Sequence, residues 1–156
     1  FSVWCLLVYI INSNIFYFLT REELMIGYVM VGTNDIKHSL KLYDKILPFA
    51  GMKKIETTSD YVGYASIFSD DEKISFYITK PYNEKNATFG NGSMIAFLCQ
   101  DKKSVDNFHR VGLENGAKDE GAPGFRSGYD DYFSYLRDFD GNKICAYYEL
   151  SKWFIL

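Results

Sequence analysis

The side chains best suited to bind a small molecule are concentrated in one segment of the sequence. Residues 121–135 read Gly-Ala-Pro-Gly-Phe-Arg-Ser-Gly-Tyr-Asp-Asp-Tyr-Phe-Ser-Tyr, which predicts a flexible loop that contains Arg126, Tyr129, Tyr132 and Tyr135. A guanidinium binds anions through two hydrogen bonds, and aromatic rings stack on planar groups. The segment therefore predicts recognition of a planar or anionic molecule. The alternative is a solvated turn whose tyrosines pack on a sheet.

The cysteines and histidines indicate no further catalytic group. Cys5, Cys99 and Cys145 are widely spaced and form no Cys-x-x-Cys pair, which predicts reduced thiols in a cytoplasmic protein. A cysteine on an apolar strand is more often inert than reactive, and neither neighbour of Cys145 in the sequence is a histidine or a lysine. His38 and His109 fall in predicted helices, and we interpret both as surface residues.

Composition predicts one ordinary globular domain. The chain has 156 residues, of which 24% are charged, and its formal net charge is −3. This length is typical of a single domain with a real core. The sequence has neither the basic surface expected of a nucleic-acid-binding protein nor an acidic tail for a basic partner.

The hydrophobic pattern predicts two similar units. In the first unit, a strand at 26–31 precedes an N-cap at 33–35, a helix that ends near Pro48 and Gly51, and strands at 53–58, 61–68 and 74–79. A polar linker follows at 81–91. The second unit has a strand at 94–99, an N-cap near Asp101, a helix that stops at 115–116, a short strand near Lys118, and strands at 132–137 and 143–149.

The last two strands flank Asp138-Phe-Asp-Gly-Asn, residue types that favour a tight reversal. This hairpin, together with segments 26–47, 90–97 and 119–124, resembles the vicinal oxygen chelate superfamily, which contains glyoxalase I, the bleomycin-resistance proteins and the extradiol dioxygenases. The resemblance covers about 25–150. It implies an α+β fold in which two βαβββ modules, about 25–80 and 93–150, form an open, cup-shaped mixed sheet around a ligand site. It also implies a homodimer.

Metalloenzymes that the chain resembles bind a divalent ion through His, Glu or Gln on the first, fourth, fifth and eighth strands. The resemblance places these positions at Tyr28, Phe76, Met94 and Cys145, and none of these is an expected ligand. We therefore predict no metal and no other cofactor, and expect these residues to line or plug an apolar pocket. A divalent metal would need unorthodox ligands, and Tyr28, Met94 and Cys145 leave open a soft site for Cu(I).

Three functions from different classes remain open. The favoured one is a binding protein that sequesters a small organic molecule without a metal, as the bleomycin-resistance branch does. The second is a metal-dependent lyase, isomerase or dioxygenase of the glyoxalase type with unorthodox ligands. The third is a structural module whose cup is filled by its own side chains.

The two ends of the sequence differ from the domain. Residues 1–24 are mostly apolar but interrupted by Asn12-Ser-Asn, and match neither a signal peptide nor a membrane helix. One hypothesis is that this extension is non-native and that translation starts at Met25. The alternative is an accessory hydrophobic hairpin that packs on the domain or on a second subunit. Residues 151–156 form a tail, and no membrane association is expected for 25–156.

Overall fold

A computed structural model describes residues 26–69 and 72–150 of the chain. Outside the described residues lie the predicted extension at 1–24 with Cys5, the predicted start at Met25, and the tail at 151–156. In chain order the elements are β1 (Val29–Gly32), α1 (Ile36–Ile46), a 3-10 helix (Leu47–Ala50), β2 (Met52–Thr57), β3 (Tyr61–Ser66), β4 (Ile74–Thr79), β5 (Ile95–Leu98), α2 (Lys102–Glu114), β6 (Lys118–Phe125), β7 (Tyr132–Arg137) and β8 (Lys143–Tyr148).

The strands form two four-stranded mixed sheets with the same topology. The orders are β1-β4-β3-β2 and β5-β8-β7-β6. In each sheet the first strand pairs in parallel with the last strand of its module, and the other pairs are antiparallel. This arrangement confirms the predicted α+β fold of two βαβββ modules.

The ends of the helices are set by capping residues close to them in the sequence. The side chains of Asp35 and Asp101 accept hydrogen bonds from the backbone N–H groups of His38 and Ser104, as N-cap residues do. After the 3-10 helix, Gly51 adopts the left-handed conformation with φ of 65°. The predicted N-caps and the stop at Gly51 are confirmed.

The two modules share one hydrophobic core. The ring of Phe76 on β4 lies 5.6 Å from Tyr43 on α1 and 5.1 Å from Phe97 on β5, and Phe97 contacts Phe108 on α2. We call the sheet face that packs against the helices the helix side. Because the helix sides of both sheets meet in this core, the opposite face of each sheet, called here the open face, points away from it.

The turn between β7 and β8 joins the second module to the first. Asp140 accepts hydrogen bonds from Thr33 Oγ1 at 2.7 Å and from the backbone N–H of Asn34 at 3.0 Å. Asn142 donates to the backbone carbonyl of Gly32 at 2.9 Å. The predicted reversal is therefore also a contact between the modules.

One predicted loop is part of a strand. Residues 121–125 belong to β6, which pairs with β7 through two register shifts, between Asp119 and Gly121 and between Gly121 and Gly124. β6 is the edge strand of its sheet, where Gly, Pro and bulges are tolerated. The expectation of a flexible loop over the whole segment was wrong for this part.

Candidate functional site

The predicted binding residues divide between the two sides of the sheets. Tyr28 contacts Tyr77 on the open face of the first sheet, and Cys145 lies opposite Tyr135 on the open face of the second. Met94 immediately precedes β5 and is exposed. Phe76 and Tyr132 lie on the helix side instead.

Phe76 was wrongly predicted to line the pocket. It is 1% exposed, and it pairs in register with Tyr64, a second core residue. The neighbouring residue, Tyr77, is the one on β4 that reaches the open face, where it contacts Tyr28 and Tyr61. Because side chains alternate along a strand, an offset of one residue moved the predicted position to the opposite face.

Tyr132 is also a structural residue in this fold. Its hydroxyl donates to Asp106 Oδ1 at 2.9 Å, and its ring packs edge-on against Phe125. The ammonium of Lys102, at the start of α2, lies 5.8 Å from the same ring. Tyr132 therefore joins β7 to α2 and stands apart from Tyr135, three residues later.

The open face of the second sheet has a row of aromatic rings. Phe133 stacks between Tyr135 and Tyr147, with centroid distances of 6.2 and 6.0 Å and interplanar angles of 6° and 17°. Tyr129, which is 67% exposed, meets Phe133 edge-on at 6.1 Å. This row, which we call the aromatic row, offers stacking surface for a planar molecule. Sequence reasoning missed Phe133, although the period-two spacing with Tyr135 indicated a shared face.

Arg126 lies at the Tyr135 end of the aromatic row. Its guanidinium is 5.2 Å from the Tyr135 ring and donates to the backbone carbonyls of Ala122 at 2.7 Å and Phe125 at 3.1 Å. No carboxylate among the described residues forms a salt bridge with Arg126. The structure thus brings together Arg126, Tyr129 and Tyr135, three of the four residues predicted from this segment.

Cys145 lies beneath this site, and its thiol is buried. It is 1% exposed, and burial raises the pKa of its thiol to about 11, although the nearby charges of Arg126 and Lys143 act in the opposite direction. The raised pKa favours the protonated thiol at neutral pH, and a protonated thiol is a poor nucleophile.

His109 is buried, although it was predicted to be a surface residue. It is 6% exposed, and its Nε2 lies 3.0 Å from Asp119 Oδ1. The pKa of Asp119 is lowered mainly by the backbone N–H of Gly121 and then by His109. The pair joins α2 to β6 on the helix side. His38 is exposed as predicted, with its ring 3.9 Å from that of Phe139.

A groove of about 840 Å³ borders the open face of the first sheet. It lies at the carboxyl ends of β1 and β4, between Met30 and Thr79 on one side and the linker residues 81–86 on the other. Its walls have both lysines and carboxylates, so the groove has no single charge preference. It gives a less specific site than the aromatic row does.

The residues at the family's metal positions do not fit a divalent metal. Tyr28, Met94 and Cys145 are not the nitrogen and carboxylate ligands that such ions prefer. Phe76 is in the core. Within residues 26–69 and 72–150, no group of three or more His, Cys, Asp or Glu is arranged to hold a metal ion. In the same part of the chain, no helix is long and apolar enough to cross a bilayer.

Comparison with known proteins agrees with this architecture. A glyoxalase/bleomycin resistance protein from Albidiferax ferrireducens T118 is 41% identical, with a TM-score of 0.70, and the match covers 80% of this chain and 98% of that one. A glyoxalase/bleomycin resistance protein/dioxygenase family enzyme from Burkholderia phytofirmans PsJN has 18% identity, a TM-score of 0.61, and coverage of 80% and 98%. The latter likeness shows the fold alone. No curated protein matches the chain.

The match to a family model covers almost the whole described region. The model is that of the Glyoxalase/Bleomycin resistance protein/Dioxygenase superfamily, and it matches residues 25–146, from the start of the first module into β8. With the repeated βαβββ topology and the 41% identical relative, this match shows that the chain belongs to the glyoxalase/bleomycin resistance protein/dioxygenase superfamily.

Proposed function

We propose that the protein binds a small organic molecule on the open face of its second sheet. The observation that carries the proposal is the aromatic row beside Arg126, a guanidinium without a carboxylate partner among the described residues. Stacking surface and a directed hydrogen-bond donor are the usual components of a small-molecule site. Neither is needed for the core, which lies on the other side of the sheet.

We further propose that the molecule is bound without a metal, in a cytoplasmic protein. The side-chain types of Tyr28, Met94 and Cys145 support the first point, because a divalent metal site is usually built from several nitrogen and carboxylate ligands and from groups that orient them. The two described cysteines, Cys99 and Cys145, are free and buried, which supports the second.

The open faces also support association with a second copy of the chain. Tyr28 and Met30 on the first sheet are 58% and 51% exposed, and Met94 and Leu98 near the second are similarly exposed. Contiguous exposed apolar surface commonly marks an interface. We propose a homodimer in which these faces pair and enclose the ligand.

The proposed function is tested by substitution within the aromatic row. Phe133→Ala removes the central ring, while Phe125→Ala makes the same change to an exposed ring that packs on the helix side against Tyr132. Thermal shift with a panel of planar organic compounds should identify ligands that stabilise the native protein and Phe125→Ala but not Phe133→Ala. Equal stabilisation of both variants would place the ligand elsewhere and contradict the proposal.

A further inference from the structure

We infer that the preferred ligand class is an aromatic carboxylate, with the carboxylate on Arg126 and the ring on the aromatic row. The inference rests on the proposed function and deepens it by assigning a charge to the ligand. It depends on the orientation of Arg126, the space around its guanidinium, the local charge and the position of the rings.

The guanidinium of Arg126 is held in place by neutral groups. Two of its N–H groups donate to the carbonyls of Ala122 and Phe125, and the Tyr135 ring supports it from one side. An arginine has five N–H donors in a planar fork, so donors remain for a ligand. Because the acceptors are backbone carbonyls, the full positive charge is retained, and an incoming carboxylate displaces no anion.

Two glycines on β6 provide the space that the guanidinium occupies. A β-carbon at position 124 would lie 3.1 Å from Nη1 of Arg126, and one at position 121 would lie 3.3 Å from Nη2. Gly121 also has a φ of +155°, at the limit of the region that disfavours other residues. A side chain at either position would crowd the guanidinium.

The surroundings of Arg126 are positive, although the whole chain has a net charge of −3. The ammonium of Lys143 lies 5.2 Å from the Tyr135 ring that also contacts Arg126. Arg137 and Lys143 share one carboxylate, Glu120, at 2.8 and 3.7 Å. Among the described residues, Glu120 is the one carboxylate that forms a salt bridge with any of these three cations, and Asp130 and Asp131 of the neighbouring loop form none with them. The unpaired charge of Arg126 therefore favours an anion over a neutral or cationic ligand.

The charge and the rings are arranged end to end. Arg126 and Lys143 are at the Tyr135 end, and the aromatic row continues from Tyr135 through Phe133 to Tyr147. A ligand whose carboxylate meets Arg126 can therefore place its ring against the aromatic row. An aromatic carboxylate satisfies both contacts at once, whereas an aliphatic anion or a neutral aromatic compound satisfies one.

The test uses two probes of the same shape. 2-Naphthoate and its neutral amide, 2-naphthamide, differ in charge but hardly in size, and their dissociation constants can be measured by titration calorimetry. We expect the carboxylate to bind about tenfold tighter or better, which corresponds to a charge-assisted hydrogen bond, and this advantage should shrink as salt is raised.

Variants assign the effect to Arg126. Arg126→Gln should remove the advantage of the carboxylate, so that the two probes bind this variant with about equal affinity. Gly124→Val keeps the charge but crowds the guanidinium, so it should reduce the same advantage. Arg110→Gln is the matched control, because Arg110 is exposed on α2, where it pairs with Glu114. Melting temperatures of all variants monitor folding.

The outcomes separate the inference from the proposed function. If both probes bind the native protein equally, or if Arg126→Gln keeps the carboxylate preference, the inference is overturned while small-molecule binding stands. If neither probe binds, the inference is overturned, and the proposed function falls with it when no compound of the panel stabilises the protein either. If Arg110→Gln lowers the preference as much as Arg126→Gln does, the effect is general electrostatics and the assigned site is wrong.

Discussion

Asp140 accepts a 2.7 Å hydrogen bond from Thr33 Oγ1, and the two residues are 107 positions apart in the chain. The same carboxylate accepts from the backbone N–H and the side-chain amide of Asn34. Asn34 in turn exchanges hydrogen bonds with the backbone of Ala87, in the linker between the modules. One carboxylate of the last turn therefore joins both modules and the linker.

Replacing this carboxylate should destabilise the whole domain. Asp140→Ala removes the acceptor of three hydrogen bonds and leaves the buried Thr33 hydroxyl with fewer partners. We expect a loss of about 2–4 kcal/mol in the free energy of unfolding, measured by urea denaturation. Asp130→Ala, in the exposed loop before β7, is the control. A loss below about 0.5 kcal/mol would show that the contact between modules is energetically unimportant.

Gly112 on α2 should not tolerate even a methyl group. A β-carbon there would lie within van der Waals overlap of Leu136 Cδ1 on β7 and close to Ile46 of α1. Helix propensity alone predicts that Gly112→Ala raises the free energy of unfolding by nearly 1 kcal/mol, whereas overpacking predicts that it lowers it by about 1–3 kcal/mol. We expect thermal or urea denaturation to show that Gly112→Ala is less stable than the native protein. A more stable variant would contradict the close approach of helix and sheet.

Asp101 should make part of the free energy of unfolding depend on pH in the acid range. Its pKa is lowered because its carboxylate accepts the backbone N–H of Ser104 at the start of α2. A lowered pKa means that this contribution is present above the unfolded-state pKa near 4 and is lost as pH falls through the folded-state pKa.

Asp101→Asn keeps an N-cap but cannot titrate, so it isolates this effect. The stability difference between the native protein and Asp101→Asn should shrink as pH falls from 5 towards 2 in urea denaturation. A difference that is independent of pH would show that the carboxylate charge contributes nothing at this helix end.

Metal analysis should give no ion at near-stoichiometric level. We expect elemental analysis of purified protein, before and after incubation with Zn²⁺, Mn²⁺, Ni²⁺ or Cu(I), to show less than about one-tenth of an ion per chain. The reason is that Phe76 and Cys145 are buried, and none of the four positions has a nitrogen or carboxylate ligand. Cys145→Ser is the companion variant. Near-stoichiometric metal that disappears in Cys145→Ser would support the alternative of a metalloenzyme with unorthodox ligands.

The local elements could be predicted because their signals are local. Asp35 and Asp101 cap helices through backbone groups three residues away, Gly51 ends the 3-10 helix by a conformation that glycine adopts easily, and residues 138–142 close a tight turn. These interactions need no partner from elsewhere in the chain. The α+β order of the two modules follows from them and from the periodicity of apolar residues.

Which side chains belong to the site depended on tertiary structure. Alternation along β4 makes either Phe76 or Tyr77 a candidate for the open face, and packing of Phe76 between Tyr43 and Phe97 decided it. His109 is polar and was expected at the surface. In the structure it is buried, and its side chain contacts Asp119.

By itself, the sequence determined which segments form helices, strands and turns, because capping and hydrophobic periodicity act over a few residues. It also placed Arg126, Tyr129 and Tyr135 together as candidates. Only the tertiary structure decided which side of each sheet is buried, placed Phe133 between Tyr135 and Tyr147, and joined Asp140 to Thr33. These choices depend on contacts between residues far apart in the chain, and no local pattern specifies such contacts.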